Sequence, residues 1–138
     1  MFKPFIILTL TALLAACASS YAPQDAPTLP ENQTLWFQLE KLDNDGNTTQ
    51  TSVLSVQGEA DGTTRWLQAD IFGVPQARLL AKSTGWQQDG FAPPNRTAQQ
   101  LFVALFPYIK RGFRQPETIV LPEQIWRVSP IHTEAESE

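Results

Sequence analysis

The sequence predicts an α+β fold: a curved antiparallel β-meander, an unclosed half-barrel, with one main helix packed on or in its concave face. Three observations carry this. Short runs of alternating apolar and polar residues recur between Gly-containing turns over residues 34–91; one segment near residue 100 switches to three- and four-residue spacing; and two further β-prone runs follow it. With 138 residues, 42% of them hydrophobic and 17% charged, the chain has room for one core and is too apolar for a disordered acidic tail.

The first run alternates Leu35, Phe37 and Leu39 with Gln38 and Glu40, the period of a half-buried strand. Asp43-Asn44-Asp45-Gly46-Asn47 supplies a turn, and residues 48–57 return with Val53, Leu54 and Val56, so a hairpin is the economical reading. After a turn at Gly58-Glu59-Ala60-Asp61-Gly62, residues 63–72 set Leu67, Ala69 and Ile71 on one face against Arg65, Gln68 and Asp70. Gly73-Val74-Pro75 breaks that strand, residues 76–82 alternate through Ala77, Leu79 and Ala81, and Ser83-Thr84-Gly85 turns into a fifth strand over residues 86–91. Five short strands with short connections make an antiparallel meander. Thr97 followed by Gln100 fits a capping box, and Leu101, Phe102, Leu105 and then Tyr108 or Ile109 recur at helical spacing. A helix is therefore expected from about Thr97 to Phe106 or a little beyond, ended or kinked by Pro107, whose ring removes a backbone donor. Residues 117–121 and 124–128, either side of Pro122, read as two more strands.

Residues 1–16 read as a secretory signal: Lys3, then an apolar run from Phe5 to Leu14, shorter than the roughly 20 residues of a membrane span. Leu14-Ala15-Ala16-Cys17 resembles the lipobox of bacterial lipoproteins, in which the cysteine is lipidated and becomes the first residue of the mature chain. Several acyl chains of the palmitate kind, at about 0.8 kcal/mol per buried CH2, make such an anchor stable. Cys17 is the sole cysteine, so its lipidation leaves no thiol for redox chemistry. Ala18-Ser19 after it, in place of Asp, favours the outer membrane by the lipoprotein sorting rule. Residues 17–33, with three prolines and no apolar period, are expected to form an extended tether, residues 34–131 a single domain, and residues 132–138 an acidic disordered tail.

Chemistry is sparse. A net charge of −4 and a pI near 4.9 argue against a nucleic-acid partner, since that affinity depends on neutralising phosphates. The one histidine, His132, sits at the tail's edge, and there is no Gly-x-Ser-x-Gly, Gly-rich phosphate loop or His/Cys cluster. A non-enzymatic protein without cofactor or metal is expected. The Asp43–Asn47 turn fails as a calcium loop, because counting back from Gly46 puts Lys41 at the first ligand position and Ser52 at the twelfth. Asp70 and Asp89 read as isolated, solvated charges. Lys110-Arg111-Gly112-Phe113-Arg114 is the only basic cluster. Contact with anionic headgroups or a partner, at about 1 kcal/mol per cation, and simple complementing of a helix dipole explain it equally well.

The run Ile71-Phe72-Gly73-Val74-Pro75-Gln76-Ala77-Arg78-Leu79-Leu80, a strand ending at Gly90, and Leu101-Phe102-Val103-Ala104-Leu105-Phe106-Pro107 behind a lipobox resemble small lipoproteins that accompany aryl-polyene biosynthesis clusters. These are similar to the LolA/LolB outer-membrane lipoprotein carrier and receptor superfamily. The resemblance spans residues 34–128. It implies an unclosed barrel capped by helices around an apolar cavity for acyl chains. The chain departs from it in having fewer strands after the helix and no evident counterpart of the receptor's exposed apolar loop. The expected function is an outer-membrane-anchored, periplasm-facing lipoprotein that binds or transfers an amphiphilic ligand, an acyl chain or polyene lipid. Its candidate groove residues are Trp36, Trp66, Phe72, Leu79, Trp86, Leu101, Phe102, Leu105 and Trp126. Lys110, Arg111, Phe113 and Arg114 are candidate membrane or partner contacts. The rival is a structural or assembly lipoprotein that scaffolds an envelope complex, which a filled interior and an exposed apolar patch would favour.

Overall fold

The computed structural model describes residues 22–90 and 95–132. The signal segment, Cys17, Phe91 and residues 133–138 lie outside the described residues. Seven strands are present: β1 (Thr34–Leu42), β2 (Thr48–Gly58), β3 (Thr64–Asp70), β4 (Pro75–Lys82), β5 (Gly85–Gln88), β6 (Glu117–Val120) and β7 (Ile125–Ile131). One helix, α1 (Arg96–Arg111), separates β5 from β6. All strand pairs are antiparallel in one unclosed sheet of order β5-β4-β3-β2-β1-β7-β6. The five-strand meander is thus as expected. The second hairpin folds back so that β7 pairs with β1, and α1 is the connection from one sheet edge to the other.

Strand alternation and register decide which side chains meet α1. Phe37 lies opposite Leu54, Val56 opposite Trp66, Trp66 opposite Leu79, and Leu39 opposite Val128. These residues are buried, together with Ala98, Leu101, Phe102, Leu105, Phe106 and Ile109 of the helix. Each large side chain so buried contributes roughly 1.5–3 kcal/mol. The face of β3 is the reverse of the sequence expectation. Trp66 and Gln68, not Leu67 and Ala69, point to the core. Both inward polar groups are satisfied: the Trp66 indole N–H donates to Thr64 Oγ1 at 2.8 Å, and Gln68 Nε2 donates to Ser52 Oγ at 3.1 Å. Burial of a large ring with its one donor paired outweighs what Leu67 and Ala69 would bury.

Two further expectations need correction. The cap of α1 is Asn95, not Thr97. Its Oδ1 accepts from the Ala98 amide while its Nδ2 donates to the Gln76 carbonyl, so the cap also ties the helix to β4. Pro107 neither ends α1 nor lies against the core. It is exposed, where the helix loses one bond at the carbonyl four residues back, and four more residues follow.

The Pro-rich segment is packed, not extended, from Ala22 on. Pro23 and Pro27 are buried, Ala26 and Leu29 pack against the core, and Asp25 pairs with Lys110 near the end of α1. The backbone crosses the end of β2, with the Asn32 amide donating to the Gly58 carbonyl and the Gly58 amide donating to the Gln33 carbonyl. That crossing is possible because Gly58 has no side chain: a Cβ there would stand 2.2 Å from the Pro30 oxygen.

Candidate functional site

The predicted groove residues divide into three sets. Trp66, Leu79, Trp86, Leu101, Phe102 and Leu105 come together, but as a packed interior between sheet and helix. The Trp66 and Phe102 rings stack at 5.1 Å between centroids, and Trp86 meets Trp66 edge-on at 6.1 Å. Both tryptophans also meet Phe106, at 5.4 and 6.0 Å. Trp126 is buried towards the first turn of α1, its indole N–H donating to Gln124, which in turn donates to the Thr97 carbonyl and to Gln100. Trp36 and Phe72 lie outside that interior, Trp36 in the lining of the cavity described below. Trp36 is on the opposite sheet face from its neighbour Phe37, and Phe72 is 85% exposed at the tip of the β3–β4 hairpin. Among the described residues the side chains of the first set pack on one another as protein interiors do, with Trp86 only partly buried at the margin.

An open cavity of about 350 Å³ lies instead where the C-terminal end of α1 meets the sheet. Leu29 and Gln33 supply one wall, Leu35, Trp36 and Phe37 of β1 the floor, and Pro130, Ile131 and His132 a second wall. Ile109, Gly112, Phe113 and Arg114 close it from the helix side. The chain leaves the helix at Gly112, whose φ of 88° is costly for any residue with a Cβ, and its amide donates to the Ile109 carbonyl. This turn swings Phe113 back onto the domain, where its ring meets Phe37 at 5.1 Å and Tyr108 at 5.7 Å. Arg114 follows in the same lining. Beyond the Phe113–Arg114 wall lies a second cavity of about 420 Å³, bordered by Tyr108, Arg111, Gln115 and Glu117.

The basic cluster therefore sits at this site with its members differently engaged. Lys110 is paired with Asp25, and the Arg111 guanidinium lies over the Tyr108 ring, 4.8 Å from its centroid. Arg114 has no hydrogen bond or ion pair among the described residues. Sequence reasoning named Trp36 as a groove residue and Phe113 and Arg114 as membrane or partner contacts, without joining them in one cavity. It missed Leu29, Leu35 and the β7 end, because their meeting depends on the packed N-terminal segment and on β7 pairing with β1.

Sequence reading also missed the hairpin tip. Three turns share one construction: the amide of the first residue donates to the carbonyl four residues on, and a Gly at the fourth position has φ of 84–85°. They are Asp43–Asn47, Glu59–Thr63 and Asp70–Val74. In the first and third, the leading Asp carboxylate also accepts two amides, at 2.8–2.9 Å. The two central residues are Asn44-Asp45, Ala60-Asp61 and Ile71-Phe72 respectively. The same turn is built with polar or small residues elsewhere, so its geometry does not require Ile71 and Phe72. With Val74 they form an exposed apolar tip at 68%, 85% and 56% exposure. Asp70 is thus a turn-forming group, and Asp89 is an ion-pair partner of Arg65 at 2.9 Å; neither is the isolated charge expected.

Among the described residues no group of His, Cys, Asp and Glu is placed to hold a metal, and no helix is long and apolar enough to cross a membrane. Comparison with protein-family models, curated proteins and solved structures gave no match.

Proposed function

We propose that the protein is a non-enzymatic lipoprotein, anchored in the outer membrane through lipid on Cys17, that binds or hands on an amphiphilic molecule in the cavity beside Phe113. The observation that carries this reading is a cavity with a largely apolar lining that includes a cation, Arg114, without a partner among the described residues, beside the packed N-terminal segment. Its size falls at the small end of the roughly 300–1,000 Å³ of small-molecule sites. On this reading α1 covers the concave side of a curved sheet, and the ligand lies at the end of that layer rather than inside it. Four residues separate Cys17 from Ala22, five Cα–Cα steps or at most about 18 Å of extended chain, so a lipidated Cys17 would keep the cavity close to the bilayer.

Native mass spectrometry with organic extraction tests the reading on the full chain carrying Cys17→Ser, purified from a bacterial envelope. An amphiphile is expected at near-stoichiometric occupancy and should be lost in Phe113→Glu. A folded chain that stays empty after incubation with lipids overturns it.

A specific observation favours a second reading, an assembly lipoprotein that scaffolds an envelope complex. Sheet and helix side chains are buried against one another, and the hairpin tip presents Ile71, Phe72 and Val74 on a turn that does not need them. In that case the tip is the docking element and the cavity is incidental.

A further inference from the structure

We infer that the cavity beside Phe113 takes the hydrocarbon tail of a single-chain amphiphile whose anionic headgroup, a carboxylate or a phosphate, is held by Arg114. This rests on the amphiphile reading above and names the class of molecule.

The walls select against cations and for one tail. None of the residues around the first cavity is acidic. Its volume of about 350 Å³ lies near the bottom of the small-molecule range, which suits one chain better than the paired tails of a bilayer lipid. Apolar area still open to water on Leu29, Leu35, Trp36, Phe113 and Ile131 supplies the drive for the tail through removal of water.

The charge arrangement selects the head. The chain carries 14 acidic against 10 basic residues, so an unneutralised guanidinium at an apolar opening runs against its general balance. Of the three cations in the cluster, Lys110 is committed to Asp25 and Arg111 to the Tyr108 face, while Arg114 lacks a partner among the described residues. Arg114 borders both cavities. A tail in the first therefore brings its head to the guanidinium, with the second cavity to receive the bulk of the head. Glu117 is the one carboxylate there, against the two guanidiniums of Arg111 and Arg114. A guanidinium fork matches the paired oxygens of a carboxylate or phosphate.

Calorimetric titration of the full chain with decanoate, methyl decanoate and decyl phosphate, each below its micelle concentration at pH 7 and low salt, separates the terms. Decanoate is expected to bind about tenfold more tightly than its methyl ester, the difference of one charge-assisted contact at an exposed site. Arg114→Gln should erase that difference and leave the ester unchanged. Decyl phosphate tighter than decanoate identifies a phosphate headgroup; the reverse order identifies a carboxylate. Equal binding of decanoate and ester, or an equal loss of both in Arg114→Gln, overturns the headgroup assignment while the amphiphile reading stands. Binding of none of the three overturns both.

Discussion

Asp43, Asp61 and Asp70 show how much of this fold rests on single carboxylates in turns. Asp61 accepts from the Thr63 hydroxyl at 2.6 Å and from the Thr63 amide at 3.1 Å. The hydroxyl bond is the larger cause that holds its carboxyl below the usual carboxylate range. A group whose folded pKa is depressed stabilises the fold above its unfolded pKa, and that contribution disappears as pH falls through the folded value. Thr63→Val, which deletes the hydroxyl, should therefore lower the melting temperature at neutral pH and make little difference at pH 2. Thermal melts of both proteins across that interval check it. An equal loss at both pH values would show that the hydroxyl acts independently of the Asp61 charge. On the outer sheet face, Arg65 is held by Glu59 at 2.8 Å and by Asp89 at 2.9 Å, and the Glu59 hydrogen bond is the main cause that raises its already high pKa. With Arg65 over a third exposed, this pair adds little beyond local order.

At the scale of elements, the instructive contact is between a segment without regular structure and the end of a strand. Residues 29–33 lie so close to Gly58 that a methyl group would overlap two carbonyl oxygens of the backbone, at 2.2 and 2.6 Å. Backbone cannot swing aside as a side chain can, so Gly58→Ala must displace the segment and with it Leu29, a wall of the cavity. Overpacking of this kind costs about 1–3 kcal/mol. The expected result is a stability loss of that size in denaturant titration, with weakened amphiphile binding. If Gly58→Ala keeps wild-type stability, the segment is not docked there in solution. The helix makes the complementary point. Its buried stripe was legible from spacing alone, whereas its cap at Asn95 depends on the Gln76 carbonyl of β4 and so on tertiary structure.

For the whole molecule, the two apolar features lie at opposite ends of β3. The cavity is beside the end of β2 that leads into β3, where residues 29–33 cross, and the Ile71–Val74 tip follows the other end of β3. Seven β3 residues at about 3.3 Å each separate them by roughly 23 Å. On the proposed anchored reading, a cavity held near Cys17 would place the tip away from the bilayer, available to a partner. Phe72→Ser should leave stability within about 0.5 kcal/mol, as for other surface changes away from structural features. On the scaffold reading it should abolish capture of a specific envelope protein in crosslinking. Unchanged crosslinking would remove the tip from that reading.

Periodicity in the sequence determined the five-strand meander, the two later strands, and the apolar stripe of α1, because period 2 and period 3.6 are local consequences of strand and helix geometry. Clusters of Gly with Asp, Asn, Ser or Pro between the runs marked the turns for the same reason. What the sequence did not carry was the choice of face where both faces offer apolar groups: Leu67 and Ala69 compete with Trp66 until cross-strand register pairs Trp66 with Val56 and Leu79. Nor did it reveal that a Pro-rich segment would dock, since proline composition reports backbone stiffness and not the surface against which Pro23 and Pro27 are buried. Only the tertiary structure separated the aromatics into a filled core, a cavity wall and an exposed tip. Composition counts rings, and packing decides which of them still meet water.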